Sequence, residues 1–275
     1  MSLLRVDGLE KKFGGVNAVE ELSFEIRPGA VFSIIGPNGA GKTTLLNLLT
    51  GVYKPSAGRI EFDGHDLTGR APHEYARHGI ARTFQNLQIF FNMSALENVM
   101  VGRYMQERCG LMAALLHSPR LARAERACRE DAAELMRYVG LQDYLSAASD
   151  AMPYGALKRL EIARALATRP KLMLLDEPAA GLNPTEVLEL DDLIGKLTGR
   201  GVTVVLVEHN MRLVMGVSDH ILVLDYGRKL AEGPAQAVRN DPRVIEAYLG
   251  SSATHDGSFG DAVAKAVAVG VEMHR

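Results

Sequence analysis

The chain has 275 residues, of which 47% are hydrophobic and 23% are charged. These are ordinary proportions for a folded globular protein, and they exclude a disordered or collagen-like chain. The sequence holds 31 Lys and Arg against 33 Asp and Glu, a formal net charge of −2. Because this balance creates no global positive field, sequence-independent binding to nucleic acid is not expected.

The sequence favours a location inside the cell. No apolar run approaches the about 18 residues that a bilayer-spanning helix needs. The N-terminal segment carries acids and bases and lacks the apolar core of a secretory signal. Cys109 and Cys128 are too few for a disulfide framework or a zinc site, so we expect reduced thiols in a cytosolic protein.

The first part of the chain predicts strands followed by a helix. Residues 22–27 alternate apolar and polar side chains, which indicates a half-buried strand. Residues 31–35 form a short apolar run, typical of a strand that is buried on both faces. A helix is predicted for residues 42–50, and another strand and turn for residues 58–67.

Helical patterns dominate residues 86–168, and strands then return. Ser94 and Glu97 form a capping-box pattern, and helices are predicted at 119–138 and 154–168. Apolar runs at 171–175, 202–207 and 221–224 predict strands, and Asn183-Pro184 with Glu186 predicts a helix start between the first two. This order predicts an α/β core within residues 1–250, with a helical subdomain inserted at about 86–168 and a loosely ordered tail at 251–275.

One glycine-rich segment predicts a phosphate site. It fits G-x-x-x-x-G-K-[ST] between a predicted strand and a predicted helix. Backbone N–H groups in such a loop surround an anion, Lys42 reaches the terminal phosphates and the Thr43 hydroxyl binds Mg²⁺. The alternative is a chance glycine-rich turn. The candidate phosphate-binding residues are Gly36, Pro37, Asn38, Gly39, Ala40, Gly41, Lys42, Thr43 and Thr44.

A second candidate site follows the apolar run that ends at Leu175. Asp176 and Glu177 come directly after that predicted strand, at the edge where open α/β sheets bind ligands. Asp176 suits a Mg²⁺ site, and Glu177 suits the general base for an attacking water molecule. Without the phosphate loop, such an acidic pair would more simply be a solvated turn.

Taken with further motifs in the expected order, these residues resemble the nucleotide-binding subunit of ABC transporters over about residues 3–250. The resemblance implies a P-loop NTPase (RecA-like) core with an N-terminal antiparallel β subdomain and an inserted helical subdomain. It also implies that the chain binds ATP and Mg²⁺ and hydrolyses ATP. A simple P-loop kinase or GTPase would not need the additional motifs.

The resemblance assigns roles to several further residues. Phe13 is similar to the aromatic residue that stacks on adenine; the alternative is a core phenylalanine. Gln85 resembles the glutamine that contacts Mg²⁺ and the attacking water and signals to the membrane subunits. His209 resembles the histidine that holds the γ-phosphate and the base, and residues 180–183 resemble the turn called the D-loop.

The signature motif departs from the family pattern L-S-G-G-Q. Residues 152–156 read Met-Pro-Tyr-Gly-Ala, so the serine and glutamine side chains are missing. Tyr154 and Gly155 are left as the candidate nucleotide contacts. Family resemblance places each ATP between the phosphate loop of one chain and the signature of another, which implies that this chain dimerises with itself or with a second ATPase subunit.

One branch of the family is the nearest in pattern. Residues 90–94, 179–184 and 242–250 are similar to those of ATPase subunits of branched-chain amino-acid importers. That branch implies membrane permease subunits, a solute-binding protein and a peripheral location on the cytoplasmic face of the inner membrane, with no nucleic acid partner. Importers of urea or other small solutes share much of this pattern, and a soluble ABC ATPase outside transport is a third alternative.

Overall fold

The computed structural model describes residues 2–103 and 119–252. They belong to two compact units: unit 1 comprises residues 1–78 and 194–275, and unit 2 comprises residues 79–193. Cys128 is buried, whereas Cys109 and the predicted tail from residue 253 onward lie outside the described residues.

Unit 1 contains an antiparallel sheet built by the N-terminal part of the chain. Its strands are β1 (Leu4–Phe13), β2 (Val16–Ile26), β4 (Ala57–Phe62) and β5 (His65–Asp66), in the order β2-β1-β4-β5. Alternate residues of β2 near its end, Leu22, Phe24 and Ile26, are buried, as their period of two predicts. The predicted N-terminal β subdomain is confirmed.

A mixed sheet in unit 1 carries the predicted phosphate loop. The strands of this sheet that belong to unit 1 are β3 (Val31–Ile35), β8 (Thr203–Val207), β9 (His220–Asp225) and β10 (Arg228–Gly233), in the order β10-β9-β3-β8. β3 pairs in parallel with β8 and β9, and every residue of β3 and β8 is buried. Burial on both faces explains why these strands are continuous apolar runs.

Helices accompany these strands. They are α1 (Lys42–Leu49), α2 (Pro72–His78), α7 (Met211–Val217), α8 (Ala235–Arg239) and α9 (Pro242–Ser252). Val244 and Tyr248 of α9 share a buried cluster with Ile35, the last residue of β3. The strand that leads into the phosphate loop is therefore supported by the C-terminal helix.

The described residues of unit 2, 79–103 and 119–193, form two parallel strands and the predicted helices. Its elements are β6 (Ile80–Arg82), α3 (Ala95–Arg103), α4 (Pro119–Tyr138), α5 (Tyr154–Ala167), β7 (Leu172–Asp176) and the start of α6 (Pro184–Gly199), which ends in unit 1. Short 3₁₀ turns lie at Gln142–Tyr144 and Ser149–Ala151. The helical region predicted at 86–168 lies within unit 2, and its role as an inserted subdomain stays a prediction.

Both predicted helix starts are confirmed by their hydrogen bonds. The Ser94 hydroxyl accepts from the Glu97 N–H at 3.2 Å, and the Glu97 carboxylate accepts from the Ser94 N–H at 2.8 Å. At α6, Asn183 Oδ1 accepts from the Glu186 N–H and Glu186 Oε2 accepts from the Asn183 N–H. Among the helices of residues 2–103 and 119–252, none combines the length and the apolar character that crossing a membrane requires.

Candidate functional site

The phosphate loop connects β3 to α1, as predicted. A Cβ atom at Gly36 would collide with the carbonyl oxygen of Leu224, and one at Gly41 would collide with that of Ala18. Gly41 also has a φ of 98°, which only glycine adopts without strain. Pro37 is half-buried, Asn38 and Gly39 are exposed, and Ala40 is buried. The glycines are therefore required by close backbone packing as well as by the turn.

Lys42 lies against the loop that precedes it. Its side chain is folded back so that Nζ donates to the carbonyl oxygens of Gly36 at 2.7 Å and Pro37 at 3.0 Å. The residue is only 7% exposed, whereas Thr43 is exposed and Thr44 is half-buried. The ammonium group is thus held at the start of α1. Its positive charge and the positive end of the helix dipole both favour an anion there.

Phe13 lies at the end of β1 and is 44% exposed, so it is not a core residue. Tyr53 packs against it edge to face, with ring centroids 5.2 Å apart. The Lys11 ammonium lies 4.9 Å from the centroid of the Phe13 ring and donates to the Lys54 carbonyl oxygen. The geometry leaves aromatic surface accessible for stacking, which is the role that the sequence predicts.

The turn after β8 presents His209. Glu208 is 3% exposed, and its carboxylate accepts from the backbone N–H groups of His209 at 3.0 Å and Asn210 at 3.2 Å. The Asn210 side chain then accepts from the Leu213 N–H and caps α7. His209 itself is exposed. This buried carboxylate therefore fixes the backbone that carries the predicted histidine.

In unit 2, β7 delivers Asp176 to its C-terminal end, as predicted. Arg82 Nη2 donates to Asp176 Oδ2 at 2.7 Å, and the two side chains are 6% and 7% exposed. The Arg82 guanidinium also lies 4.9 Å from the centroid of the Phe84 ring. Asp176 is consequently held by a buried ion pair with the last residue of the neighbouring strand.

Gln85 and Glu177, each predicted to contact the attacking water, lie in contact with one another. Gln85 Nε2 donates to Glu177 Oε2 at 2.8 Å. Glu177 is half-buried and adopts a φ of 49°, an uncommon value for a residue other than glycine. Backbone held in such a conformation is concentrated at functional sites, where the surrounding structure maintains it.

The altered signature begins α5 and packs on neighbouring loops of unit 2. Tyr154 is 44% exposed, and a Cβ atom at Gly181 of the D-loop would lie 3.0 Å from the Tyr154 ring. Gly155 is buried, and a Cβ atom there would collide with the carboxylate of Glu186. The signature, the D-loop and the start of α6 are therefore in direct contact.

The sequence did not predict several of these contacts, which involve Arg82, Glu208 and Glu186. Arg82 showed no local sign in the sequence of its pairing with Asp176. Glu208 had a local signal, because a carboxylate between a strand and an exposed turn often accepts backbone N–H groups. Glu186 was predicted as a helix cap, but its contact with Gly155 was not.

The residues present fit ATP and Mg²⁺. In unit 1, Gly36 and Gly41 have no room for a Cβ atom, so the loop before α1 carries bare backbone at these positions. Phosphate binding by backbone N–H groups requires such a loop. The candidate metal ligands are the hydroxyl of Thr43, the carboxylate of Asp176 and the amide oxygen of Gln85. These are the hard oxygen donors that Mg²⁺ prefers, and Mg²⁺ commonly uses only one or two carboxylates.

Comparison with known proteins agrees with this geometry. The family model described as ABC transporter matches residues 19–180. A second model, described as branched-chain amino acid ATP-binding cassette transporter, matches residues 228–254. The first of these matches alone covers more than half of the chain.

Curated relatives span nearly the whole protein. The high-affinity branched-chain amino acid transport ATP-binding protein BraF of Pseudomonas aeruginosa is 45% identical over 251 residues, which are 91% of this chain and 98% of the relative. The corresponding protein LivG of Escherichia coli K12 is 44% identical over the same shares of the two chains.

Solved structures share the fold. A nucleotide-free ATP-binding cassette from an ABC transporter is 32% identical, with a TM-score of 0.79 over 90% of this chain and 99% of the other. A dimeric cassette in a post-hydrolysis state bound to ADP and Pi is 25% identical, with a TM-score of 0.72 over 84% and 98% of the two chains. The predicted P-loop NTPase fold is confirmed, and the chain belongs to the family of ATP-binding subunits of ABC transporters.

Proposed function

We propose that this chain is the ATP-hydrolysing subunit of an ABC importer for branched-chain amino acids. The observation that carries the ATPase assignment is the loop at residues 36–43, where Gly36 and Gly41 leave no room for a Cβ atom and the Lys42 ammonium lies against the loop at the start of α1. The solute assignment is supported by the named relatives and by the family match at residues 228–254.

In unit 1, the proposed roles concern binding of the nucleotide. The Phe13 ring stacks on the adenine, and backbone N–H groups of residues 38–41 donate to the phosphates. The Lys42 ammonium exchanges its carbonyl partners in the loop for phosphate oxygens. The Thr43 and Thr44 hydroxyls bind Mg²⁺ and phosphate, and His209 holds the γ-phosphate. Each of these groups is a hydrogen-bond donor, an aromatic face or a hard oxygen, as its role requires.

In unit 2, the proposed roles concern the attacking water. Glu177 accepts a proton from the water as it attacks the γ-phosphorus, and Gln85 orients both the water and Glu177. Asp176 and Gln85 provide oxygen ligands for the metal. Mg²⁺, when bound with ATP, neutralises charge that develops on the phosphate oxygens. The Gln85–Glu177 hydrogen bond supports this pairing of roles.

The signature leads to the proposed partners. Tyr154 and Gly155 begin α5, and their backbone would meet the γ-phosphate held by a second ATPase subunit, identical or different. A solved relative of this fold is dimeric, which supports this arrangement. Two permease subunits and, indirectly, a solute-binding protein complete the proposed importer, with this chain peripheral on the cytoplasmic face of the inner membrane.

The ATPase assignment is tested with the purified wild-type chain and two lysine variants. Lys42→Ala removes the proposed phosphate contact and should reduce ATP hydrolysis about 100-fold or more, measured as released phosphate. Lys196→Ala removes an exposed lysine of α6 and should hydrolyse ATP like the wild type. Equal rates for all three proteins would refute the assignment of the loop.

The solute is tested separately, with the permeases and the binding protein reconstituted in vesicles that contain ATP. Uptake of labelled leucine, lost in the Lys42→Ala complex, would support the branched-chain amino-acid assignment. Uptake of urea or another small solute in place of leucine would leave the ATPase assignment intact and overturn the solute assignment. Copurification with DNA or ribosomes instead of permeases would overturn the transport function.

A further inference from the structure

The segment at residues 83–91, here called the Gln85 loop, is held by its backbone. The Phe84 N–H donates to Glu161 Oε1 at 3.3 Å, and the Gln85 carbonyl accepts from Lys158 Nζ at 3.2 Å. Further along, the Phe90 N–H and carbonyl both bond to the side chain of Asn98 at 3.0 Å. Side chains of α5 and α3 thus fix both ends of the loop.

Two of these side chains are buried charges on α5, the helix that the signature begins. Lys158 is 4% exposed and Glu161 is 3% exposed, and they lie about one helical turn apart. Burial raises the pKa of Glu161, while the N–H groups of Phe84 and Gln88 and the nearby charges of Lys158 and Arg164 act in the opposite direction. Burying the Glu161 carboxylate in this position therefore costs desolvation free energy.

Stability alone does not explain such a pair. Replacing buried charges with apolar side chains of similar size is often neutral or stabilising. What an apolar pair lacks is directional hydrogen bonding, and Lys158 and Glu161 direct their hydrogen bonds to the backbone on either side of the Phe84–Gln85 peptide. The pair therefore fixes the backbone position from which the Gln85 side chain extends.

The position of Gln85 matters because its amide contacts Glu177 at 2.8 Å. Lys158 also reaches the signature itself, since its ammonium lies 5.8 Å from the centroid of the Tyr154 ring. A third charged residue of α5, Arg164, lies 5.4 Å from the centroid of the exposed Phe90 ring. A continuous series of contacts thus runs from Tyr154 through Lys158 and Gln85 to Glu177.

We propose that Lys158 and Glu161 are positioning residues, which hold Gln85 against Glu177 and tie that contact to the signature helix. The inference rests on the proposed function, because it takes Glu177 as the base. It predicts that loss of either side chain impairs the chemical step while ATP binding, which uses unit 1, is retained.

The kinetic test uses purified full-length variants. Lys158→Met and Glu161→Ala should lower kcat about 10-fold and change the KM for ATP less than about 2-fold, because one charge-assisted contact is lost without loss of nucleotide contacts. Glu161→Gln keeps an oxygen acceptor for the Phe84 N–H and should retain kcat within about 3-fold of the wild type. Arg159→Met is the matched control, since Arg159 is the next residue of α5 and pairs with Glu189 at 2.6 Å.

A second measurement does not depend on hydrolysis. Hydrogen exchange at the Phe84 and Gln88 amides should be about 10-fold faster in Glu161→Ala than in the wild type, and unchanged in Glu161→Gln and Arg159→Met. Faster exchange with unchanged kcat would overturn the positioning role. Lower kcat without faster exchange, a parallel rise in KM, or equal losses in Arg159→Met would also overturn it. An inactive wild-type protein would refute the proposed function, and exchange would still report on the contacts.

Discussion

Arg82→Met removes one partner of the buried ion pair in unit 2. Arg82 Nη2 lies 2.7 Å from Asp176 Oδ2, and both side chains are less than a tenth exposed, at 6% and 7%. Removing one member of a buried pair leaves the other charge uncompensated, which typically costs about 3–5 kcal/mol of folding free energy. Methionine retains most of the apolar stem of arginine, so the loss reports mainly on the guanidinium group.

The chain offers a control pair with the same shortest N–O distance in a different environment. Arg228 Nη2 lies 2.7 Å from Glu20 Oε1, but these side chains are 70% and 27% exposed. Exposed pairs of this kind contribute little to stability, because water screens the charges. Arg228→Met should therefore leave the midpoint of urea unfolding at pH 7 nearly unchanged, whereas Arg82→Met should lower it clearly.

Thermal unfolding provides a second measure, and a double variant isolates the cause. At about 2–4 °C per kcal/mol for a domain of this size, Arg82→Met should lower Tm by roughly 6–20 °C. Combining it with Asp176→Leu removes the stranded charge and should recover much of the loss, even though activity is lost. If Arg82→Met is as stable as Arg228→Met, or if the double variant is no more stable than Arg82→Met, an uncompensated buried charge is not the cause of the loss.

Further expectations concern the nucleotide and the buried carboxylate. Phe13→Ala should weaken nucleotide affinity roughly 5- to 100-fold in a fluorescence titration, with little change in Tm; normal affinity would exclude stacking. Glu177→Gln should bind ATP normally and release phosphate more slowly by a factor of about 100 or more, and an unchanged rate would exclude Glu177 as the base. Because burial raises the pKa of Glu161, the folded state holds its proton more tightly, so ionised Glu161 destabilises the fold at neutral pH. Glu161→Gln should therefore unfold at higher urea than the wild type at pH 7, with an advantage that shrinks as pH falls toward the ordinary value of 4.5; a growing advantage would contradict this sign.

Elements with a strong local pattern were predictable from the sequence. The apolar runs of β3, β7 and β8 are buried along their whole length, and their boundaries agree with the prediction to within about two residues. The phosphate loop follows from its glycines and its place between a strand and a helix. Helix caps such as that at Asn183 were predictable because the bonded atoms are only three residues apart.

Contacts between distant parts of the chain were not predictable in the same way. Arg82 and Asp176 are 94 positions apart, and Gln85 and Lys158 are 73 apart. Periodicity shows which face of an element is buried, but it does not identify the element on the other side of that face. For this reason the sequence did not indicate that Lys158 and Glu161 are buried.

The altered signature shows which positions of that motif depend on space and which on side-chain chemistry. At Gly155, the carboxylate of Glu186 occupies the place that a Cβ atom would take, so a larger residue there would have to displace that side chain. Ala156 is only 1% exposed, so the side chain at this position faces the interior and is not a surface contact. Pro153 takes the extended N-cap conformation with φ −66° and ψ 155°, although its ring has no oxygen to accept from the first turn. What this loop presents to an anion is therefore its backbone: the N–H groups at the start of α5 and the positive end of the helix dipole.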